Sequence, residues 1–322
     1  MRRIAVVDIE LLGAVLLWAL NITVTRYLLT HGFLPLAYGT TRYLVGALLA
    51  LVFAFGLERS LRVRRRDLPV VVVAGLVLYL NQIVFLGAVH LTTASTVALI
   101  LGAGPVFTGI FATAAGLGRP SRMFWAASAV SLAGVGLIAS SGGGRSSSRL
   151  GDLLALACAA TWAVYSVLVA PLMRRYSPYR VSALVLAIGW LPLAATGARQ
   201  ASHQHWSSLP PTVWLLFTYA VVGPLFLTNI LWYRAIGVVG PARASLFANL
   251  EPFLAVLFAL VLLSERLDRA EIAGGTLILL AILLERIART GRRRGKHPAV
   301  AAPAGLQTPA EETTAVGVGP GG

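Results

Sequence analysis

The stretch Pro241–Glu285 decides the fold of this chain: PARASLFANLEPFLAVLFALVLLSERLDRAEIAGGTLILLAILLE. It contains the apolar run 241–263 and the start of a second apolar run, 270–288. The charged segment Ser264–Arg269 separates the two runs. A helix rises about 1.5 Å per residue, so each run can cross a hydrocarbon core of about 30 Å. The pattern predicts a helical hairpin embedded in a lipid bilayer.

A weaker copy of this pattern occurs 147 positions earlier, in Ala94–Leu137. Pro105 in that stretch corresponds to Pro252, and Arg119 corresponds to Arg266. Self-similarity over such a length indicates two copies of one structural unit. We therefore expect the chain to consist of two related halves.

The composition is that of a membrane protein. Of the 322 residues, 57% are hydrophobic and 12% are charged, whereas roughly 25% of the residues in soluble domains are charged. A formal net charge of +15 could suit nucleic acid. The arginines, however, occur in short clusters between apolar runs, which is typical of membrane topology signals. We therefore expect a lipid bilayer and no nucleic acid as a partner.

Ten apolar runs follow one another along the chain, each about long enough to span a bilayer. They are residues 9–29, 34–57, 68–89, 94–116, 123–141, 151–172, 179–197, 212–235, 241–263 and 270–288. The bilayer core offers backbone groups no hydrogen-bond partners, so each run is expected to form a helix. The predicted fold is an all-α integral membrane protein with ten transmembrane helices.

The distribution of lysine and arginine predicts the orientation. With the N-terminus placed in the cytoplasm, 20 of the 27 basic residues fall in inside segments and 6 in outside segments. Basic residues accumulate on the cytoplasmic side of membrane proteins. The prediction is a multi-pass protein of the inner cell membrane with both termini in the cytoplasm.

Two halves of five spans each must have opposite orientations, because five is an odd number. Such inverted repeats are common among secondary transporters. The predicted segments are a first repeat at 1–141, an external Gly/Ser linker at 142–150, a second repeat at 151–289 and a disordered cytoplasmic tail at 290–322. The linker and the tail are assigned from their composition.

Several motifs resemble the EamA-like branch of the drug/metabolite transporter superfamily. They are Arg42 in GTTRYLVGALLAL, a proline near the start of spans four and nine, and the stretch EPFLAVLFALVLLSERLDRAEIAGGTLIL. This stretch is similar to the branch's P…E…G signature through Pro252, Glu265 and Gly274. The resemblance implies a secondary carrier of small metabolites, commonly an exporter, with a central cavity lined by spans one, three, four, six, eight and nine.

The first half departs from this signature, because Gly118 stands where the glutamate would be and Ala127 where the glycine would be. A glutamate that is absent from one of two related halves is a weak candidate for the transport chemistry itself. We therefore interpret Glu265 as a residue of a helix end and its loop.

Polar and aromatic side chains on the cavity-lining spans are the candidate substrate-binding residues. They are Trp18, Asn21, Thr25, Gln82, Trp162, Tyr165, Ser166, Asn229, Trp232 and Asn249. Gln82 and Asn229 occupy equivalent positions of the two halves. Amides bind polar groups without a fixed charge and aromatic rings add contact area, which suits a zwitterionic or aromatic small molecule. The alternative is that the same amides and hydroxyls join neighbouring helices.

Four further residues are candidates for coupling or gating: Arg42, Glu251, Pro105 and Pro252. Arg42 and Glu251 fall near the middle of their spans, where a charge is costly unless it is paired or hydrated. They could form an ion pair, Glu251 could carry a proton as the coupling ion, or both could serve only to hold helices together. Each proline removes a helical N–H and should bend its span near the cavity.

These features predict a secondary transporter that exports small metabolites, such as amino acids or amphipathic drug-like compounds, by alternating access. The histidines are scattered and the sequence has no Gly-rich phosphate-binding loop, so no cofactor, metal site or ATP drive is expected. The alternative is a non-transporting membrane protein, such as an assembly factor or a lipid-modifying enzyme. The expected partners are a small-molecule substrate and the bilayer, while coupling to protons and assembly into a homodimer stay open.

Overall fold

A computed structural model describes residues 2–116, 122–140, 148–228, 231 and 250–294. All regular secondary structure in these residues is helical. The helices are α1 (Arg2–Thr30), α2 (Pro35–Glu58), α3 (Leu68–Leu91), α4 (Ala94–Leu101), α5 (Gly104–Ala114), α6 (Arg122–Ser140), α7 (Arg149–Met173), α8 (Pro178–His203), α9 (Pro211–Ala220), α10 (Glu251–Leu262) and α11 (Arg269–Arg294). A 3-10 turn, Trp206–Ser208, precedes α9, and a π-helical segment, Val221–Leu227, continues it.

Within this described part, six helical segments are long and apolar enough to cross a membrane. They are Val6–Thr30, Pro35–Glu58, Leu68–Leu91, Ala94–Phe111, Arg149–Met173 and Pro178–His203. Shorter apolar helices are Arg122–Ile138, Pro211–Leu227 and Glu251–Leu262. Each of the ten predicted runs contains helix, although the fifth, eighth and ninth also include residues outside the described part. The chain is therefore an all-helical, multi-pass membrane protein.

Local sequence explains where several helices begin. Thr93, Ser148 and Ser177 precede α4, α7 and α8, and each side chain accepts a hydrogen bond from the backbone N–H three residues later. A hydroxyl at this position satisfies one of the N–H groups that have no carbonyl partner in the first helical turn. These helices therefore start where a side-chain oxygen replaces the missing acceptor.

Two boundaries differ from the prediction. Because Ser148 caps it, α7 begins at Arg149, inside the stretch predicted as a linker. At the other end of the second half, α11 continues to Arg294, beyond the predicted limit at residue 289. The rest of the predicted linker before Ser148 and the rest of the predicted tail lie outside the described residues.

The prolines predicted to bend spans four and nine both lie in a first helical turn. The fourth run is divided at Gly102-Ala103 into α4 and α5, and Pro105 follows that break. Pro252 lies in the first turn of α10. Proline is tolerated there because its missing N–H would have no helical acceptor. At the interruption, Gly102 and Ala103 keep right-handed helical backbone angles, so the predicted bend at Pro105 stays a prediction. The residues that lead up to Leu250 lie outside the described part.

The helices pack around a buried centre. α2 packs on α8, α3 on both α7 and α8, α1 on α10, and α4 on both α7 and α10. Residues Ala94–Ile100 of α4 are all buried. A helix that is enclosed on every side belongs to the interior of a bundle. α4 therefore forms part of the core on which the longer helices assemble.

At one end of the bundle, here called the Glu265 end, loops from both halves meet. The side chain of Gln204 accepts a hydrogen bond from Leu34 N (2.8 Å) and donates one to Gly32 O (3.0 Å). Ser148 N donates to Leu91 O (3.1 Å). The segment before α11, which contains Glu265, also contacts the start of α4 at this end.

At the opposite end, here called the Arg175 end, the loop between α2 and α3 meets the loop between α7 and α8. Arg175 Nη1 lies 2.5 Å from Asp67 Oδ1, and Arg180 Nη2 lies 2.7 Å from Glu58 Oε2. The segments that meet at each end are those that the predicted topology assigns to a single side of the membrane.

Candidate functional site

Arg42 lies in the apolar interior and connects three helices. Its side chain on α2 is only 4% exposed. Nε donates a hydrogen bond to Ala220 O at the end of α9 (3.2 Å), and Nη2 donates to Asn21 Oδ1 on α1 (3.2 Å). The guanidinium carbon also lies 5.8 Å from the centre of the Tyr38 ring, within the range of a cation–π interaction.

The carbonyl that Arg42 binds lies at the start of a π-helical segment. In a regular α-helix, Ala220 O would accept a hydrogen bond from the backbone N–H of residue 224, but that residue is Pro224. The chain forms the π-helical segment Val221–Leu227 at this point, whose i→i+5 pairing offers Ala220 O the N–H of Leu225 instead, and such segments are frequent at functional sites. The guanidinium of Arg42 adds a further donor to this carbonyl, and the carbonyl gives the buried guanidinium an oxygen acceptor, as polar groups within a membrane need.

The ion pair between Arg42 and Glu251, one of the alternatives that the sequence left open, is not present in this structure. Glu251 is half-buried at the start of α10, whereas the polar contacts of Arg42 are with Ala220 and Asn21. The ion pairs seen between described residues are the two at the Arg175 end. Arg42 is therefore held by neutral oxygen atoms rather than by a carboxylate.

Two adjacent amides on α3 have different environments. Asn81 Nδ2 donates to Cys158 O (2.9 Å) and Thr161 Oγ1 (3.0 Å) on α7, and therefore joins two helices. Gln82 is only 4% exposed, and its Nε2 has no hydrogen-bond partner among the residues that the structure describes. A buried donor without a partner costs about 1–3 kcal/mol, so Gln82 is suited to bind a ligand or water.

Other predicted site residues on α1 contact neighbouring helices. The hydroxyls of Thr25 and Tyr38 are hydrogen-bonded, with the oxygens 3.2 Å apart, and Asn21 binds Arg42. Trp18 is half-buried on the same helix. Thr25 and Asn21 therefore join helices here, which is the alternative that the sequence left open.

The predicted residues on α7 form a more open group. Trp162 is 45% exposed, and its ring centre lies 5.4 Å from that of Tyr165. Ser166 Oγ donates to the carbonyl of Trp162 (2.8 Å), so this hydroxyl is engaged by its own helix. The remaining predicted site residues, Asn229, Trp232 and Asn249, lie outside the described part.

The contacts of Glu265 confirm its interpretation as a residue of a helix end and its loop. Oε1 accepts a hydrogen bond from Ala94 N (2.9 Å), while Oε2 accepts from Ser95 N (2.9 Å) and Ser95 Oγ (2.6 Å). A carboxylate is favoured at a helix N-terminus because it meets free N–H groups and the positive end of the helix dipole. Glu265 therefore fastens the loop of the second half to α4 of the first half.

The sequence interpretation missed two residues of this arrangement. Pro224 was detectable, because a proline within the eighth apolar run indicates a carbonyl without a helical donor. Tyr38 lies four positions before Arg42 on α2 and therefore on the same face of the helix. Their meeting with α1 and α9 depends on helix packing, for which the sequence contains no direct signal.

The comparisons with known proteins decide the family. A model of the EamA-like transporter family matches residues 6–140 and 149–285. The chain belongs to the EamA-like transporter family. It is therefore a transporter of the drug/metabolite transporter superfamily and not an enzyme, and a small-molecule substrate and a membrane environment follow from this membership.

Relatives of this EamA-like chain have transporter names. "Uncharacterized transporter YdeK" of Bacillus subtilis (strain 168) is 29% identical over 279 residues, which are 84% of this chain and 94% of the relative. A protein of Streptantibioticus cattleyicolor named "Probable terminal-alkyne amino-acid exporter" is 29% identical over 294 residues, or 86% of this chain and 95% of that protein. These names favour transport over the non-transporting alternatives.

A solved crystal structure has the same fold as this EamA-like chain. The two superimpose with a TM-score of 0.61 at 19% sequence identity, covering 88% of this chain and 98% of the other. At this identity the similarity concerns the fold alone.

Proposed function

We propose that this EamA-like protein is a secondary transporter that exports small amphipathic metabolites, amino acids among them, by alternating access. Ten spans in two inverted five-helix repeats, at 1–141 and 151–289, would form the carrier in the inner cell membrane, with both termini in the cytoplasm. Alternating access in such carriers arises when one repeat rocks against the other around a central site. A homodimer and coupling to protons stay predictions.

The packing of the described helices supports an inverted repeat. If α1 corresponds to α7, and α4 with α5 corresponds to α10, then the contact of α1 with α10 has its counterpart in the contact of α7 with α4 and α5. Likewise, α3 packs on α7 as α9 packs on α1. α2 and α8, which would be equivalent, pack directly on each other. Such paired contacts are expected when two halves are related by a two-fold axis.

The observation that carries the proposed site is the buried guanidinium of Arg42 beside the interrupted helix at Pro224. An arginine has five N–H donors, so the bonds to Ala220 and Asn21 do not exhaust it. Guanidinium groups bind carboxylates strongly. A substrate carboxylate that reaches Arg42 would suit an amino acid, and the name of the relative from Streptantibioticus cattleyicolor is consistent with this class.

Flux measurements in proteoliposomes test this function. Purified protein is reconstituted, and efflux of amphipathic amino acids is compared with efflux of the amines that lack only the carboxylate. We expect protein-dependent flux of the amino acids and little flux of the amines. Equal flux of both compounds would contradict the role of Arg42, and flux no faster than in empty liposomes for any compound would contradict transport of this class.

The same liposomes test whether protons are the coupling ion. Glu251 is a half-buried carboxyl group at the start of α10, and it is the proposed proton carrier. An imposed pH gradient should accelerate flux through the unmodified protein and leave flux through the Glu251→Gln variant unchanged. Retained acceleration in the variant would remove Glu251 from the coupling role.

A further inference from the structure

A basic pocket lies at the Arg175 end, away from the proposed transport site. Its volume is about 450 Å³. It is lined by Arg62, Val63, Arg64, Arg175, Tyr176 and Arg180. The first three residues belong to the loop between α2 and α3, and the last three belong to the loop and helix start between α7 and α8. The pocket, here called the arginine pocket, is therefore built by both halves of the chain.

Hydrogen bonds between the two loops fix the walls of the arginine pocket. Tyr176 Oη donates to Asp67 Oδ2 (2.6 Å) and accepts a hydrogen bond from Arg64 N (3.1 Å). Arg180 Nη1 donates to Arg62 O (3.0 Å). The hydrogen bond from Tyr176, together with the charge of Arg175, lowers the pKa of Asp67, which therefore stays ionised at neutral pH. The loops are thus held in a defined shape rather than forming only a diffuse charged surface.

The four arginines of the arginine pocket fall into two pairs. Arg175 and Arg180 bind the carboxylates of Asp67 and Glu58. The guanidinium groups of Arg62 and Arg64 have no hydrogen-bond or ion-pair partner among the described residues, and both side chains are exposed. The pocket therefore has an excess of positive charge from two guanidinium groups, whose planar arrangement of donors matches a phosphate group.

The helix ends on either side of the loop between α2 and α3, which lines the arginine pocket, expose apolar side chains. Phe55 and Leu57 at the end of α2 and Leu68 at the start of α3 are 53%, 62% and 51% exposed. Large apolar side chains that a membrane protein exposes on its spanning helices face the acyl chains of the lipids. A ligand bound here would have its polar part against the arginines and an apolar part along these helix ends.

We propose that the arginine pocket binds the phosphate headgroup of an anionic membrane phospholipid. Basic pockets between helices at a membrane surface suit such headgroups, and the adjacent apolar surface suits the acyl chains. Because both halves line the pocket, a bound lipid bridges the two loops and stabilises their contact at the Arg175 end. This inference does not depend on the substrate proposed above.

General charge at a membrane surface is the competing explanation, because basic loops also arise from topology alone. The chain contains a matched control. Arg65 and Arg66 lie in the same loop as Arg62 and Arg64 and are also exposed, but they do not line the pocket. The variant Arg62→Gln/Arg64→Gln and the control Arg65→Gln/Arg66→Gln therefore remove the same charge from the same loop.

Native mass spectrometry of the full-length protein tests the proposal. The purified protein in neutral detergent is titrated with phosphatidylglycerol, with phosphatidylcholine and with inorganic phosphate. We expect saturable binding of phosphatidylglycerol alone. Arg62→Gln/Arg64→Gln should weaken it by about tenfold or more, and the control variant by less than about threefold.

Several results would overturn the proposal. Equal weakening in both variants would show that only the general charge of the loop matters, and no weakening in either would show that the pocket is not the site. Equal binding of phosphatidylcholine would exclude recognition of an anionic headgroup. Displacement of the lipid by inorganic phosphate at the same concentration would show that the ligand is a soluble phosphate compound. The lipid comparison uses the unmodified protein and so does not depend on how the variants fold.

Discussion

The Glu265 end and the Arg175 end both join the two halves of the chain, but they do so by different chemistry. At the Glu265 end, side chains bind backbone groups: Glu265 accepts from the N–H groups that start α4, and Gln204 binds the loop between α1 and α2. At the Arg175 end, charged side chains also bind each other: Asp67 pairs with Arg175 and Glu58 with Arg180, in addition to backbone contacts such as Arg180 with Arg62 O.

This difference has consequences for stability. Backbone N–H groups at a helix start have fixed directions, so a carboxylate that meets them forms short, charge-assisted bonds. The side chain of Arg175 is 46% exposed, whereas that of Asp67 is 6% exposed, and an ion pair with one exposed partner is weakened by salt. We therefore expect the Arg175 end to separate more easily than the Glu265 end, which suits a carrier whose two ends open in turn.

Removal of the Glu265 carboxylate should have the largest effect on stability. Glu265→Ala leaves the N–H groups of Ala94 and Ser95 without their acceptor, and hydrogen bonds to a charged group are worth about 1.5–3 kcal/mol. We expect the free energy of unfolding to fall by about 3 kcal/mol, measured from thermal melting in detergent. The exposed neighbour Arg266 is the control, and Arg266→Ala should have little effect. An equal loss in both variants would contradict the role of Glu265 in joining the two halves at this end.

A double-mutant cycle tests the hydrogen bond from Arg42 to Ala220 O in the interior of the bundle. As at the Glu265 end, a charged side chain binds a backbone group there. Arg42→Gln alone should destabilise the protein by about 2 kcal/mol, because Ala220 O and Asn21 Oδ1 lose their hydrogen bonds from the guanidinium. Pro224→Ala restores a backbone N–H for that carbonyl, so the loss should shrink by about 1 kcal/mol in this background.

Pro192, which lies inside α8, provides the control for this cycle. Pro192→Ala should leave the cost of Arg42→Gln unchanged. If Arg42→Gln lowered the free energy of unfolding equally in the unmodified and Pro224→Ala proteins, Arg42 would not compensate for the backbone N–H that Pro224 lacks.

The two adjacent amides of α3 are expected to have different roles: Asn81 joins helices, and Gln82 belongs to the binding site. Asn81→Ala should lower the melting temperature, because Asn81 joins α3 to α7, and should leave substrate affinity unchanged. Gln82→Ala should weaken substrate binding by about two- to tenfold, as the loss of one hydrogen bond predicts, without a lower melting temperature. The opposite pattern would assign the joining role to Gln82 and contradict its place in the site.

Among these variants, Asp67→Asn should lower stability the least, and its effect should depend most strongly on pH and salt. The hydrogen bond from Tyr176 and the charge of Arg175 lower the pKa of Asp67 below its ordinary value of 3.8. A carboxyl group with a lower pKa in the folded state stabilises that state above its unfolded pKa, and this stabilisation is lost as the pH falls through the folded pKa.

The difference in melting temperature between the unmodified protein and Asp67→Asn should therefore be fully present at pH 7, begin to shrink as the pH falls below about 4, and disappear once the pH is below the lowered pKa of the folded state. It should also shrink in 1 M salt, where the screening length is about 3 Å. The effect of Glu265→Ala should persist in that salt. A salt-independent effect of Asp67→Asn would contradict the contrast between the two ends.

Much of the architecture was predictable from the sequence, because the bilayer imposes simple requirements on length and polarity. The apolar runs predicted helices, and each described α-helix overlaps one of them, although several extend beyond its limits. Glu265 was correctly interpreted as a helix-end residue, since the first half has Gly118 at the equivalent position. Six long spans and shorter apolar helices are observed within the described part, so the predicted number of ten spans stays a prediction.

The contacts of the candidate site were not predictable in the same way. The sequence placed Arg42 and Glu251 at similar depths and thereby suggested an ion pair, but depth does not determine the direction in which a helix face points. Arg42 instead meets Ala220, which is 178 positions away in the chain. That contact depends on which face of α2 is turned toward α9, which helix packing sets.

The sequence by itself determined that this chain is a helical membrane protein of two related halves, because length, hydrophobicity and charge distribution act locally along the chain. Only the tertiary structure decided which polar groups meet: Asn81 binds α7, Arg42 binds Ala220 O and Asn21, and Gln82 Nε2 has no described partner. The physical reason is that a hydrogen bond needs its two atoms within about 3 Å. Helix packing sets that distance, and packing depends on every side chain at the contact.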